Sequence, residues 1–244
     1  FTVIMDYYRD SEDGQAQADL NRLMDGTFSN QETGMPEGTV HSELLRRPGK
    51  LYVLASHFHP DHFNKEVLQW REQRPDIIYI FSKDILRHRR AQKEDAVWLK
   101  KGEEYKDETL SVRAFGSTDV GVSFLLQASG KKIFHAGDLN NWHWMDESTE
   151  AEWKGAEKNF LHELDDLYAY TPEVDVAMFP VDPRLGKEYM RGAGQFVTKI
   201  KTHIFVPMHF TPEYAKANAF RDFAEAHGVR FVSLTHRGQK IEIE

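Results

Sequence analysis

Ser56-His57-Phe58-His59-Pro60-Asp61-His62 follows directly on the short apolar run Leu51–Ala55. A continuous apolar run of that length, ending at polar residues, reads as a buried strand. His57 and His59 are two apart at its end, and in extended backbone such residues project to the same side. Two imidazoles can therefore reach one ion. Pro60 breaks the strand and turns the chain. Asp61 and His62 follow on the turn, ahead of a helix expected over residues 64–73, and can face a second ion beside the first. Zinc takes histidine nitrogen and carboxylate oxygen at about 2.0–2.2 Å, so the cluster suits it. A lone His-x-His is more often a surface feature. His57, His59, Asp61 and His62 together at a strand end read as a metal site.

The rest of the chain bounds what such a site can do. Its 244 residues suit one domain, 1–244, with a substantial core. There is no cysteine, so any metal must be held by histidine and carboxylate, and the 12 histidines make that feasible. The net charge of −8 argues against a nucleic-acid surface, which needs excess Lys and Arg. No apolar run approaches the roughly 18 residues of a membrane helix. A small-molecule substrate and a cytoplasmic location are the expectation, with the oligomeric state open. Phe1 opens in mid-strand without an initiator Met. N-terminal strands are therefore expected ahead of it, and a signal peptide is left open.

Along the chain, strands are expected over residues 1–5, 51–55, 77–81, 110–115, 122–128, 132–134, 174–179, 203–208, 229–234 and 240–244. Helices are expected over 64–73, 83–93, 150–167, 194–201 and 212–227, the last closed by Gly228. Residues 9–50 read as an irregular excursion, a candidate lid or rim, with a helical turn over 16–24. Strands lead in both halves with helices interspersed, which favours an α/β fold of sheets sandwiched between helices.

His57-x-His59-x-Asp61-His62 resembles the signature of the metallo-β-lactamase superfamily, and further pieces follow in that family's order. Asp6 ends the first strand. Gly137-Asp138 follows the strand at 132–134. His209, in Pro207-Met208-His209-Phe210, ends a late strand. The resemblance implies an αββα four-layer sandwich and two divalent metal ions, ordinarily zinc. It implies His57 and His59 on the first ion, Asp61, His62 and His209 on the second, Asp138 bridging both, and Asp6 supporting the site from behind. It implies a hydrolase whose ions share a hydroxide, with Asp61 orienting that hydroxide and accepting a proton.

One ligand departs from the pattern. The family usually supplies a third histidine to the first metal from the loop that corresponds here to Phe115-Gly116-Ser117-Thr118-Asp119-Val120-Gly121-Val122. This loop has none. Asp119 is the nearest residue with ligand capacity, and Ser117 can hold a water or touch the metal weakly. With Asp119 bound, the first site becomes harder and more anionic, better suited to manganese or iron. With nothing bound, the first metal is weakly held. The segments Gly116–Asp119, His135–Asn140 with Trp142-His143-Trp144, and Phe179–Arg184 resemble bacterial metal-dependent hydrolases of unstated substrate. The likeness to the L-ascorbate-6-phosphate lactonase group, a manganese branch, is more distant.

Around the site, Trp142 and Trp144 are candidates to wall a substrate pocket, or else to serve as packing. Arg184 is a candidate to bind an anionic group in bidentate fashion, or else to pair with Asp182 as structure. His143 reads either as a polar finger into the site or, the preferred reading, as a surface residue. The expected substrate is a small anionic ester, lactone or phosphoester. The rival readings are a di-iron oxidoreductase or a nuclease of the same fold, and a metal-binding protein without catalysis.

Overall fold

The computed structural model describes residues 1–8, 40, 42–211 and 213–243. The expected excursion and its helical turn over 16–24 therefore fall largely outside the described residues. Sheet A is parallel, in the order β1 (Thr2–Met5), β2 (Leu51–Ala55), β3 (Ile78–Ser82), β4 (Val97–Leu99). Sheet B has seven strands: β5 (Glu104–Lys106), β6 (Leu110–Phe115), β7 (Ser123–Ala128), β8 (Lys131–His135), β9 (Glu173–Pro180), β10 (Lys201–Met208) and β11 (Arg230–Phe231). Its β5–β8 half is antiparallel and its β8–β11 half parallel. The helices are α1 (Ser42–Leu45), α2 (Lys83–Arg87), α3 (Glu150–Tyr170), α4 (Arg191–Lys199), α5 (Tyr214–Asn218) and α6 (Arg221–Ala226). Among the described residues, no helix is long and apolar enough to cross a membrane.

Strand periodicity explains the layers. On β2, Tyr52 and Leu54 face sheet B, packing with Val112, Ala114, Phe124 and Leu126. Leu51, Val53 and Ala55 face outward, against Phe63, Val67, Trp70 and Ile85. Both faces of β2 are buried, which is why its sequence is apolar throughout rather than alternating. On sheet B, Leu125, Phe134, Phe179 and Phe205 face outward, against Phe160 and Leu164 of α3, Phe196 of α4 and Phe220. Two sheets face to face with helical segments on both outer faces make the αββα sandwich that the sequence led us to expect.

Several expected elements differ. Residues 64–73 form a 3-10 segment, Lys65–Glu72, rather than an α-helix; Asn64 caps it by accepting from the Glu66 N–H at 2.9 Å. The basic helix stops at Arg87, because Arg89 takes a left-handed backbone (φ 53°) that no α-helix continues. The single helix expected over 212–227 is two short ones, α5 and α6. No strand forms over the described residues of 240–244. β4 and β5, three residues each, went unanticipated because a pattern that short carries no readable period.

The strand ends decide where chemistry sits. β1, β2, β8, β9 and β10 present their carboxyl ends, and the chain leaves them at Asp6, Ser56, Ala136, Val181 and His209. In parallel sheets that edge is where ligands bind. Two glycines let the β2 end be approached closely. A Cβ on Gly121 (φ 73°) would lie 2.2 Å from Ser56 O and 2.5 Å from His57 Cβ. One on Gly137 (φ 53°) would lie 2.9 Å from Ser56 Cβ. Gly121→Ala therefore meets a backbone oxygen that cannot move aside and a φ that L-residues resist. The expected cost is about 1–3 kcal/mol, and Tm should fall by about 2–4 °C for each kcal/mol. A melting temperature equal to the parent's contradicts this account of the packing around His57.

Candidate metal centre

The turn after β2 holds itself in place. His62 N–H and Phe63 N–H both donate to His59 O, at 3.0 and 2.9 Å, and Phe63 is buried to 1% exposure as an anchor. Phe58 N–H donates to Asp84 of α2 at 3.0 Å, so the loop carrying the histidines is tied to sheet A's outer layer.

The donor atoms fall into two groups. In each, one ligand atom per residue lies within 4.8 Å of the others: His57, His59, Asp119 and Asp138 in the first, Asp61, His62 and His209 in the second. Asp138 stands between them. Its Oδ2 is 3.3 Å from His57 Nε2, and its Oδ1 is 3.1 Å from His62 Nε2 and 3.2 Å from His209 Nε2. His57 Nε2 and Asp138 Oδ1 are buried without a hydrogen-bond partner among the described residues. Buried polar atoms are normally satisfied, and an exception calls for an explanation such as an ion.

Hydrogen bonds at the rear of the rings select the tautomers. Asp6 Oδ2 accepts from His62 Nδ1–H at 2.7 Å and from the Ser56 hydroxyl at 2.6 Å. With its proton given to Asp6, Ser56 Oγ accepts from His57 Nδ1–H at 3.0 Å. Asp182 Oδ2 accepts from His209 Nδ1–H at 2.9 Å. When neutral, each of these three imidazoles thus has a bare Nε2 lone pair aimed inward, as metal ligation requires. Asp6 steadies a ring of each group, His62 directly and His57 through Ser56. Asp6 and His209 both hold left-handed backbone, φ 47° and 61°. Such conformations persist when the surroundings over-determine them, as these side-chain bonds do.

The electrostatics show what the centre attracts. Burial pushes the His62 imidazole down, but the carboxylates of Asp138 and Asp6 beside it outweigh that and lift its pKa to about 10. His209, under the same opposition, is lifted to about 9 by Asp138 and Asp182. Burial works against the charge of Asp6 and Asp182, yet His135, His62 and Ser56 hold Asp6 at about 2, and His209 and Arg184 hold Asp182 there too. Burial likewise opposes ionisation of Asp138, but its histidine partners drive its pKa far down. Buried carboxylates here draw in positive charge, and without a cation they draw it as protons. Neutral imidazoles with bare Nε2 and ionised carboxylates are a donor set that fits divalent ions.

The remaining expected residues are placed as follows. Asp119 Oδ2 lies 3.6 Å from His59 Nδ1, in the first group. The Ser117 hydroxyl accepts from Asp119 N–H at 3.4 Å and belongs to neither group. Asp61 Oδ2 is 3.6 Å from His62 Nε2, its side chain 56% exposed. A cavity of about 600 Å³ opens on the second group; Asp61, His62, His209, Arg184, Tyr214 and Arg237 are among its lining residues. Trp142 and Trp144 do not line it. Trp142 instead donates its indole N–H to Asp138 O at 2.8 Å, packs edge-on against His209, and stacks with Trp144. Arg184 has the structural partner that one of its two readings gave it, and its guanidinium also reaches the cavity. It pairs with Asp182 through Nε and Nη2, and it lines the cavity with its side chain 55% exposed. His143, expected at the surface, is buried: its Nε2–H donates to Glu188 O at 3.1 Å and its Nδ1 accepts from Met145 N–H.

Sequence reasoning missed three supports. Ser56 relays Asp6 to His57. Asp182 grips His209 across 27 positions of sequence. The Thr118 hydroxyl donates to Asn140 O and accepts from Asn140 N–H, joining the Asp119 loop to the Asp138 loop. Only Ser56, adjacent to the motif, carried a local signal.

The profile of the β-lactamase superfamily domain matches residues 36–210. Among curated proteins none matches the chain. Among solved structures, a protein from Parabacteroides distasonis inferred to be a metal-dependent hydrolase is 17% identical over 80% of both chains, with a TM-score of 0.51. One from Veillonella parvula, of the same inferred kind, is 11% identical over 97% of this chain and 90% of that one, with a TM-score of 0.56. CmlA, a di-iron β-hydroxylase from Streptomyces venezuelae, is 13% identical over 77% of this chain and 44% of its own, with a TM-score of 0.51. At these identities the structures speak for the fold alone, whereas the profile covers most of the sequence. The chain belongs to the β-lactamase superfamily and has its metallo-β-lactamase fold.

Proposed function

We propose that the protein is a metal-dependent hydrolase acting on a small anionic ester, lactone or phosphoester. The observation that carries this reading is Asp138, whose two oxygens face two separate groups of histidine and carboxylate donors. His57, His59, Asp119 and Asp138 would hold one ion, and Asp61, His62, His209 and Asp138 the other. Two divalent ions, when bound, supply Lewis acidity toward the substrate oxygen and toward the attacking water.

The protein's own part is binding, orientation and proton handling. Asp61 is exposed at the cavity and is placed to accept the proton that the water gives up. Arg184 is held by Asp182 through Nε and Nη2, which leaves its Nη1 hydrogens for an anionic group in the cavity. A guanidinium already fixed by a buried carboxylate loses little freedom when it binds. Met5, Met208, Phe210 and Leu234 supply apolar wall for the body of a small molecule.

A second reading has one observation in its favour. With Asp119 in place of a third histidine, the first group is richer in carboxylate, a set that suits iron or manganese as well as zinc. An iron-loaded redox enzyme would consume oxygen rather than hydrolyse.

The test is elemental analysis of the purified protein, followed by a panel of lactones, phosphoesters and thioesters. About two transition-metal ions per chain and hydrolysis of an anionic member are expected. Removing a group that only steadies a ligand costs 10–100-fold in metal affinity or activity, so Asp138→Ala should cost at least about 100-fold. Oxygen uptake by iron-loaded protein without hydrolysis favours the second reading. Full hydrolysis by Asp138→Ala removes the basis of the first. Separately, Arg184→Ala should raise KM for anionic substrates about tenfold or more and leave neutral analogues unchanged. Equal effects on both would make Arg184 purely structural.

A further inference from the structure

We infer that Asp182 is a positioning residue for the metal centre: through its Oδ2 it fixes which nitrogen of His209 is bare and where that nitrogen points. The inference rests on the metal-binding reading given above and extends it to a residue outside the expected ligand set.

The geometry is specific. Asp182 is completely buried. Its Oδ1 accepts from Arg184 N–H at 2.9 Å and from Arg184 Nε at 3.0 Å. Its Oδ2 accepts from Arg184 Nε at 3.0 Å, from Nη2 at 2.5 Å and from His209 Nδ1 at 2.9 Å. Arg184 Nη2 also lies 3.3 Å from His209 Nδ1, because both donors converge on the same oxygen. A carboxylate oxygen 2.9 Å from a ring nitrogen requires a proton on that nitrogen; two lone pairs would repel. Nε2, 3.2 Å from Asp138 Oδ1, makes the same demand for positive charge; a cation that meets it leaves the ring neutral, with its one proton on Nδ1 facing Asp182. The strand register supports the contact, since Val181 N–H donates to Met208 O at 3.0 Å and brings the β9 and β10 ends side by side. His209 follows that junction directly and takes a left-handed backbone, φ 61°.

A plainer role for Asp182 would be to cap the 3-10 segment Pro183–Glu188 and pair with Arg184. The two roles separate experimentally. Arg184→Ala breaks the ion pair and leaves the bond to His209. It also removes a cation near the site, so zinc should bind as tightly as in the parent, or more tightly. Asp182→Asn keeps the shape and the cap. An asparagine whose oxygen faces the Arg184 donors turns its NH2 toward His209 Nδ1, which selects the other tautomer and blocks Nε2.

The test has two arms. In the metal-free chain above about pH 10, where the His209 ring is neutral, long-range 15N NMR of the histidine rings should place the His209 proton on Nδ1 in the parent and in Arg184→Ala, and no longer on Nδ1 in Asp182→Asn. In a zinc titration of the same chains, Asp182→Asn should raise one of the two dissociation constants tenfold or more and leave the other unchanged. Asp182→Asn that keeps the ring proton and both affinities overturns the inference. So does Arg184→Ala that loosens zinc as much as Asp182→Asn does. A parent chain that binds no zinc refutes the metal reading instead, and the ring-proton arm still decides whether Asp182 sets the tautomer of His209.

Discussion

A carboxylate buried among histidines has to be neutralised, and the geometry around Asp138 follows from that constraint. A bare charge taken out of water costs several kcal/mol unless it is paired. Asp138 meets His57, His62 and His209 at 3.1–3.3 Å, and those rings are held by Asp6, Ser56 and Asp182 behind them. The carboxylates outweigh the burial penalty on His62 and His209 and raise their proton affinity. Divalent cations satisfy the same demand and leave the imidazoles neutral.

The architecture divides the work between the back and the front of the centre. At the back, strand ends and tight glycine contacts place rings whose protons are already committed. At the front, the cavity is lined by Asp61, His62 and His209 of the second group and by Arg184, while His57, His59 and Asp119 stay out of its wall. In the function proposed above, substrate would approach from the side of the second group, with its anionic part toward Arg184. Trp142 belongs to the back as well: its indole bonds Asp138 O and its ring packs on His209, so it braces the ligands.

Much of this is legible in the sequence where chemistry is local. His57, His59, Asp61 and His62 sit within one strand end and one turn, so their spacing alone brings them together. Asp6, Asp138 and His209 are legible as strand-terminal residues, and their order along the chain matches the family. What joins distant segments is not. Nothing near Asp182 signals a partner 27 positions away, and nothing near Thr118 announces Asn140. The layers follow from doubly apolar strands such as β2, but β4 and β5 are too short to show a period. Helix type also escapes pattern reading: residues 64–73 have enough apolar positions for an α-helix, yet fold as a 3-10 segment capped by Asn64.

The central claim is that Asp138 lies between two metal ions. Crystals grown with zinc and measured on both sides of the zinc absorption edge test it most directly. The account predicts two anomalous peaks about 3.5–4 Å apart, one on each side of the Asp138 carboxylate. The first should touch His57, His59 and Asp119, and the second Asp61, His62 and His209. A single peak, or peaks that leave Asp138 without contact, would contradict it.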